Sequence, residues 1–328
     1  MNQFLRQLTP GQQVGLLFVV LFGLLLTGSI TIFTLSLRER DSVRGEARAT
    51  ELKRLSGLLK TSWLISGVFW VGWASGDRVA TVLFAMVAFL ALREFVTLSP
   101  TRRGDHRSLI LAFFVVLPVQ FWLVASEHFD LFTVFIPVYV FLAIPVVSAL
   151  ANDPERFLER NAKLQWGIMV CVYGMSHVPA LLLLNFPNWD EQKNAFLVFF
   201  LAFVVQTCMV VQHLAQRRIK RAPRAPLVSD SFNWTSWSIG VLAGCLVGTL
   251  LAGITPFAPG QALAMALIAC IAGSFGHLVM KALKRDRGVT HWGSSPSVTG
   301  ATGLLDRVDA LCFAAPVFFH SVRWYFEL

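Results

Sequence analysis

Charged side chains are concentrated in one glycine-rich segment of this chain, which runs from Lys284 to Asp309. Its last part, residues 303–309, reads Gly-Leu-Leu-Asp-Arg-Val-Asp. Carboxylate oxygens are the ligands that hard divalent cations prefer, and Lys and Arg side chains bind phosphate oxygens. Apolar stretches flank the segment, so its polar groups would lie beside a lipid bilayer, where such groups mark functional sites. The pattern therefore predicts a site for phosphate and a divalent cation.

Two further segments carry arginines that could bind phosphate, since adjacent guanidinium groups match its oxygens bidentately. One segment covers residues 93–103, after an apolar stretch, and the other is the basic run at residues 217–226. An ion pair at the membrane surface would explain the first segment, and positive-inside anchoring would explain the second. Contact of the second with an acidic headgroup or a nucleotide triphosphate is the functional alternative, so both interpretations stay open. The candidates are Arg93, Arg102, Arg103, Arg221 and Arg224.

The composition indicates what must hold these segments in place. Hydrophobic residues make up 55% of the 328 residues, only 14% are charged, and the mean hydropathy is +0.62. A soluble domain of this length could not bury so much apolar surface. We expect an all-α polytopic membrane protein with about ten transmembrane helices, near residues 14–37, 55–74, 79–95, 109–125, 131–151, 164–184, 195–214, 237–254, 262–283 and 310–326.

The loops between these spans alternate in charge. Every second loop is rich in Lys and Arg, whereas the loops between them carry only Arg78 and Lys193. Because basic loops are retained on the cytoplasmic side, both termini are predicted to lie outside, with the polar segments facing the cytoplasm of a bacterial-type inner membrane. The net charge of +9 is then explained by topology and by attraction to membrane lipids, not by nucleic-acid binding.

The first apolar span differs from a cleavable signal peptide. Its apolar run is about 23 residues long, and no small-residue cleavage site follows it. We expect residues 1–54 to form a retained transmembrane helix and a cytoplasmic loop of mixed charge. Residues 55–328 are expected to form the membrane domain that carries the site.

The polar segment resembles the signature of a known enzyme family. Lys284-Arg285, Gly293 and the run at residues 303–309 occur in the order found in the phosphatidate cytidylyltransferases, the CDP-diacylglycerol synthases. Arg93-Glu94 falls where that family carries an Arg-Glu pair, and residues 222–229 resemble its Ala-Pro-Lys-x-Ser-Pro segment. The order of the apolar spans also fits, so the resemblance covers roughly residues 55–328.

The resemblance implies transfer of CMP from CTP to phosphatidate, giving CDP-diacylglycerol and pyrophosphate. The attacking lipid phosphate is already an anion, so no general base is essential. Catalysis then rests on divalent cations, Mg²⁺ or Mn²⁺, and on basic side chains that hold the phosphates. Relatives of this type also suggest a homodimer. On this basis we expect catalysis from Asp306, Arg307, Asp309, Lys284 and Arg285, and substrate binding by Arg93, Arg102, Arg103, Arg221, Arg224 and Arg287.

The chain departs from the family at its acidic positions. His277 stands where the family has Asp after Gly, and His291 stands where it has Asp after Lys. The family's Pro-Gly-His-Gly-Gly run is replaced by residues 299–303, and its upstream membrane-embedded Asp has no clear match. Two hard oxygen ligands are thereby lost, although Mg²⁺ prefers oxygen. The candidate metal ligands are Asp306, Asp309 and Asp286, with His277 and His291 at the family's acidic positions.

Three hypotheses follow from these departures. In the first, the protein is an active enzyme whose histidines bind a softer metal or donate hydrogen bonds to phosphate. In the second, it is a catalytically impaired paralogue that binds an acidic lipid or a nucleotide and acts as a scaffold. In the third, it is a transporter, which would show intramembrane charges and symmetric broken helices. Convergence of Asp286, Asp306 and Asp309 on one cavity would favour the first hypothesis.

Overall fold

The computed structural model describes residues 9–39, 56, 59, 63, 66–67, 70–71, 73–98, 101–187, 189, 193–219, 221–229, 232–289, 292 and 303–328. Nine long helices and no strand occur in that part of the chain. We number them α1 (Pro10–Glu39), α2 (Asp77–Thr97), α3 (Arg103–Ala125), α4 (Phe129–Ala149), α5 (Phe157–Leu183), α6 (Ala195–Ile219), α7 (Trp234–Ile254), α8 (Pro259–Asp286) and α9 (Leu305–Phe326).

The helices confirm the expected all-α polytopic membrane fold. Eight of them, α1 to α8, are long and apolar enough to cross a membrane. A chain in hydrocarbon must satisfy its backbone N–H and C=O groups internally, which favours helices throughout such apolar segments. The ninth helix, α9, has the length of a span but carries three charged residues near its start, Asp306, Arg307 and Asp309. The expected span at residues 55–74 lies largely outside the described residues.

The chain divides into two compact units, Met1–Ala80 and Thr81–Leu328. In the first unit, α1 is a long apolar helix, and the indole N–H of Trp63 donates a hydrogen bond to the Ser29 hydroxyl at 3.1 Å. The second unit contains every predicted site residue that the structure describes.

Small residues let helices of the second unit approach closely. Gly240, Gly244 and Gly248 recur at every fourth residue of α7, and a Cβ atom at any of them would lie within 2.6 Å of α6 or α8. Helix association inside a bilayer depends on such packing, because lipid tails are as apolar as the side chains. The same close approach joins α5 to α9, where Gly174 lies against the backbone of Cys312.

The last two helices, α8 and α9, run antiparallel. The end of α8 contacts the start of α9 through Lys284 and Asp306, and the start of α8 contacts the end of α9 through Gln261 and Tyr325. Between these contacts, Gly276 leaves no room for a Cβ atom, so the helices are in close contact there. This packing brings the polar residues at the end of α8 beside those at the start of α9.

Candidate active site

An ion pair joins the last turn of α8 to the first turn of α9. Lys284 Nζ donates to Asp306 Oδ1 at 2.5 Å, and the two side chains are only 10% and 19% exposed. The second carboxylate oxygen, Asp306 Oδ2, accepts a hydrogen bond from the Trp292 backbone N–H at 2.8 Å. Lys284 and Asp306 are both predicted from the sequence as catalytic residues, and the structure places them in direct contact.

A second polar pair lies further along the same two helices. His277 Nδ1 and Asp309 Oδ2 are 2.7 Å apart, and Asp309 Oδ1 accepts a hydrogen bond from the Ala310 backbone N–H at 2.6 Å. Asp309 is almost fully buried, with 4% of its side chain exposed. His277, at a position where the resemblance expects a carboxylate, therefore contacts the second predicted aspartate directly.

Lys281 is a basic residue of the site that sequence reasoning missed. The residues His277, Lys281 and Lys284 are spaced by four and three, which places them on one face of α8. Lys281 Nζ donates to the hydroxyl of Ser229 at 3.3 Å, and Ser229 is buried. Ser229 belongs to the loop that resembles the family's Ala-Pro-Lys-x-Ser-Pro segment, so this contact ties that loop to the site. The helical spacing of Lys281 from Lys284 was the signal that could have identified it.

Glu94 is a second residue of this region, which the sequence analysis named in the Arg93-Glu94 pair without choosing it as a candidate site residue. Glu94 is 4% exposed, and its two carboxylate oxygens accept hydrogen bonds from the backbone N–H groups of Leu304 and Leu305, at 3.0 and 2.8 Å. Arg93, in contrast, is exposed. In the Arg93-Glu94 pair, which resembles the family's Arg-Glu pair, Glu94 is therefore the residue that contacts the start of α9.

The third predicted carboxylate, Asp286, lies on the surface. Its side chain is 64% exposed and forms an ion pair with Arg287 Nη2 at 2.9 Å. No group of three or more His, Cys, Asp and Glu side chains that could hold a metal ion occurs among the described residues. His291 and Gly293 lie outside the described residues. The metal site therefore stays a prediction, and its described candidates are Asp306, Asp309, Asp286 and His277.

The other predicted catalytic arginines flank the Lys284–Asp306 pair in sequence. Arg285 is exposed on the last turn of α8, and Arg307 is half-buried in the first turn of α9. Both helix ends thus add positive charge close to the carboxylates. Ammonium and guanidinium groups at such a site can bind phosphate oxygens.

Arg102 belongs to a separate network of paired charges. It forms an ion pair with Glu155, and Glu155 raises the pKa of Arg102 through that hydrogen bond and its negative charge. In the same network, the buried Arg160 contacts Asp105 at 2.9 Å and Asp153 at 2.7 Å. These contacts connect the loop before α3 to the loop before α5. The guanidinium group of Arg102 therefore already has carboxylate partners.

We expect Arg102→Ala to change the affinity for CTP by less than about threefold and to leave the thermal stability nearly unchanged. Its ion pair is exposed to solvent, and exposed pairs contribute little to stability. Nucleotide titration and thermal unfolding of the purified variant in detergent measure the two quantities. A loss of CTP affinity of tenfold or more would instead place Arg102 at a phosphate.

Arg221 and Arg224 lie in the loop that contains Ser229. Arg221 Nη1 donates to the Thr235 hydroxyl at 2.7 Å, and the backbone N–H of Arg224 donates to the Phe232 carbonyl at 2.7 Å. Both side chains are exposed, as is that of Arg103 at the start of α3. Their roles in substrate binding stay predictions, and the Lys281–Ser229 hydrogen bond connects the loop of the first two to α8.

Comparisons with known proteins show the family of this chain. Residues 57–325 match the cytidylyltransferase family. The chain is also similar to the uncharacterized protein YnbB of Escherichia coli strain K12, with 34% identity over 255 residues, which cover 76% of this chain and 81% of YnbB. The family match includes the Lys284–Asp306 pair, the His277–Asp309 pair and Glu94. This protein belongs to the cytidylyltransferase family.

Proposed function

We propose that this protein transfers CMP from CTP to phosphatidate, forming CDP-diacylglycerol and pyrophosphate in phospholipid synthesis. The Lys284–Asp306 ion pair, at the junction of α8 and α9 within the family-matched segment, carries the proposal. Membership of the cytidylyltransferase family supports CTP as the nucleotide. A lipid acceptor fits because α2 and α8, which carry Glu94 and Lys284, are long and apolar enough to cross a membrane. We also propose an inner-membrane location with the site facing the cytoplasm, and a homodimer.

The residues of the site have distinct roles in this reaction. A phosphate oxygen of phosphatidate attacks the α-phosphorus of CTP, and the bond to the β-phosphate oxygen breaks as pyrophosphate leaves. Before substrate binds, Asp306 neutralises Lys284, and a bound phosphate competes with Asp306 for the same ammonium group. Lys281 and Arg307 add positive charge where the two anionic substrates meet. Fixed cations of this kind stabilise the charge that moves to the leaving group.

The described residues do not form a cage for Mg²⁺ by themselves. Asp306 has one oxygen on Lys284 and the other on a backbone N–H, while Asp309 has one oxygen on His277 and the other on a backbone N–H. Mg²⁺ needs several oxygen ligands in octahedral geometry. The roles given above therefore involve no metal ion, and dependence on Mg²⁺ or Mn²⁺ stays a prediction from the resemblance.

A second candidate function follows from the His277–Asp309 pair. In the resembled family a carboxylate would stand beside this aspartate, whereas here an imidazole contacts it. The exchange removes one negative charge from the site. A site altered in this way could still bind an acidic lipid or a nucleotide. The alternative is therefore a catalytically impaired paralogue that binds such ligands and acts as a scaffold beside other lipid enzymes.

Formation of labelled CDP-diacylglycerol tests the two candidates. Purified protein in detergent receives CTP labelled at the α-phosphate together with phosphatidate, with Mg²⁺ and Mn²⁺ in separate samples. Diacylglycerol, which lacks the phosphate nucleophile, replaces phosphatidate in the control. We expect label in the lipid fraction only with phosphatidate. We also expect His277→Asp to increase the rate with Mg²⁺ by several-fold, because it restores a hard oxygen ligand beside Asp309.

The outcomes separate the two functions. No labelled lipid with either metal, alongside an active family enzyme in the same assay, would overturn the enzymatic proposal. Product formed by the His277→Asp variant but not by the wild type would identify an impaired paralogue that a single carboxylate repairs. Label transferred equally with diacylglycerol would contradict phosphatidate as the acceptor.

A further inference from the structure

The first turn of α9 has an unusual cap. The first backbone N–H groups of a helix have no partner within the helix and are normally satisfied by a side chain just before it. Leu304 occupies that position in α9 and has no side-chain oxygen. Glu94 supplies the missing acceptors from α2, with one carboxylate oxygen on the N–H of Leu304 and the other on the N–H of Leu305.

A carboxylate suits this position for electrostatic reasons. The N-terminus of a helix carries a partial positive charge, which offsets part of the cost of burying the anion. Hydrogen bonds from N–H groups to an ionised acceptor are roughly twice as strong as neutral ones. An amide side chain could accept only one of the two bonds, and its NH₂ group would face the other donor. Glu94 therefore fixes the direction and position of the first turn more firmly than Gln could.

Asp306 comes directly after the residues that Glu94 caps. One oxygen of Asp306 contacts Lys284, and the other accepts from the Trp292 N–H. The ring of Trp292 stacks on Phe95, with centroids 5.5 Å apart and planes inclined by 29°. Two consecutive residues of α2 thus affect Asp306. Glu94 accepts hydrogen bonds from the first turn of α9, and Phe95 stacks on Trp292, whose N–H donates to the Asp306 carboxylate.

We infer that Glu94 is a positioning residue that orients Asp306 toward Lys284. The inference rests on the proposed function for its effect on turnover, but the effect on the placement of Asp306 can be measured without any activity. Glu94 contacts no substrate in this assignment and acts only through the start of α9. Its loss moves Asp306 away from the geometry in which the carboxylate faces the Lys284 ammonium and the Trp292 N–H.

Hydrogen–deuterium exchange of the full-length protein in detergent tests the placement. In Glu94→Gln, we expect exchange of the Leu304 and Leu305 amides to rise about 10- to 100-fold, as one charge-assisted hydrogen bond is lost and the other weakened. We also expect faster exchange of the Trp292 amide, which reports on the carboxylate of Asp306. The matched control is Gln120→Leu, which removes the hydrogen bonds that a buried side chain of α3 donates to the Ser176 hydroxyl and the Phe132 carbonyl.

The exchange results distinguish a positioning role of Glu94 from a purely capping role. Faster exchange at the start of α9 and at Trp292, with neither changed in Gln120→Leu, supports positioning. Faster exchange at the start of α9 alone would reduce Glu94 to a helix cap and overturn the inference. Unchanged exchange at both places, or the same pattern in Gln120→Leu, would overturn it too.

Turnover provides a second, separable measurement. In an active wild type, we expect Glu94→Gln to lower kcat about 10- to 100-fold, the size of effect that a displacement of about 1 Å produces. KM for CTP should change less than about threefold, since binding residues are untouched. An unchanged kcat would overturn the inference. A wild type without turnover would defeat the proposed function instead, and the exchange results would still decide the role of Glu94.

Discussion

We expect Asp306→Asn to lower the kcat of the proposed CMP transfer to phosphatidate by about a hundredfold, because Lys284 loses the carboxylate that holds its ammonium group in place, and a displacement of about 1 Å can cost that much. The substitution preserves the size of the side chain but removes its charge. Lys284, only 10% exposed on its side chain, then faces a neutral amide. The amide NH₂ group also opposes either the ammonium or the Trp292 N–H, so one hydrogen bond of the carboxylate is lost in either orientation.

Asp286→Asn is the matched control for this prediction. Asp286 carries the same charge at the end of α8, but its side chain is 64% exposed and pairs with Arg287. We expect this variant to keep its kcat within about twofold of the wild type, because an exposed ion pair contributes little. Equal losses in the two variants would show that Asp286 joins the site and would contradict the assignment of Asp306 alone. Thermal unfolding of both variants checks that each remains folded.

Gly174→Ala should destabilise the membrane domain by about 3 kcal/mol or more, because the added methyl group has no space. A Cβ atom at Gly174 would lie 2.2 Å from the carbonyl oxygen of Cys312 and 3.0 Å from its carbonyl carbon. These are backbone atoms of α9, so no side chain can rotate away. The two helices must separate, which would also displace the carboxylates at the start of α9.

Gly253→Ala is the control for the effect of alanine itself. No atom lies within 4 Å of a Cβ built at Gly253, so we expect a change of less than about 0.5 kcal/mol. Thermal unfolding followed by tryptophan fluorescence in one detergent compares the two variants. Similar unfolding temperatures for both variants would show that α5 and α9 can move apart without loss of stability. That result would contradict the importance of the close contact at Cys312.

The sequence could predict the polar segment and several of its partners. Ordered motif residues indicated that Lys284 and Asp306 belong to one site, and the structure places them 2.5 Å apart. The same reasoning could not place Asp286, because its distance along the chain from Lys284 does not reveal which way the end of α8 faces. It also could not show that Arg102 would pair with Glu155, since that contact joins two loops separated by two helices.

By itself, the sequence determined that this protein is a helical membrane protein of the cytidylyltransferase type, because hydropathy and motif order are properties of neighbouring residues. Only the tertiary structure decided that His277 contacts Asp309 and that Glu94 caps α9 from α2. The physical reason is that a buried carboxylate must find hydrogen-bond donors wherever packing brings them, and for Glu94 those donors lie more than 200 residues further along the chain.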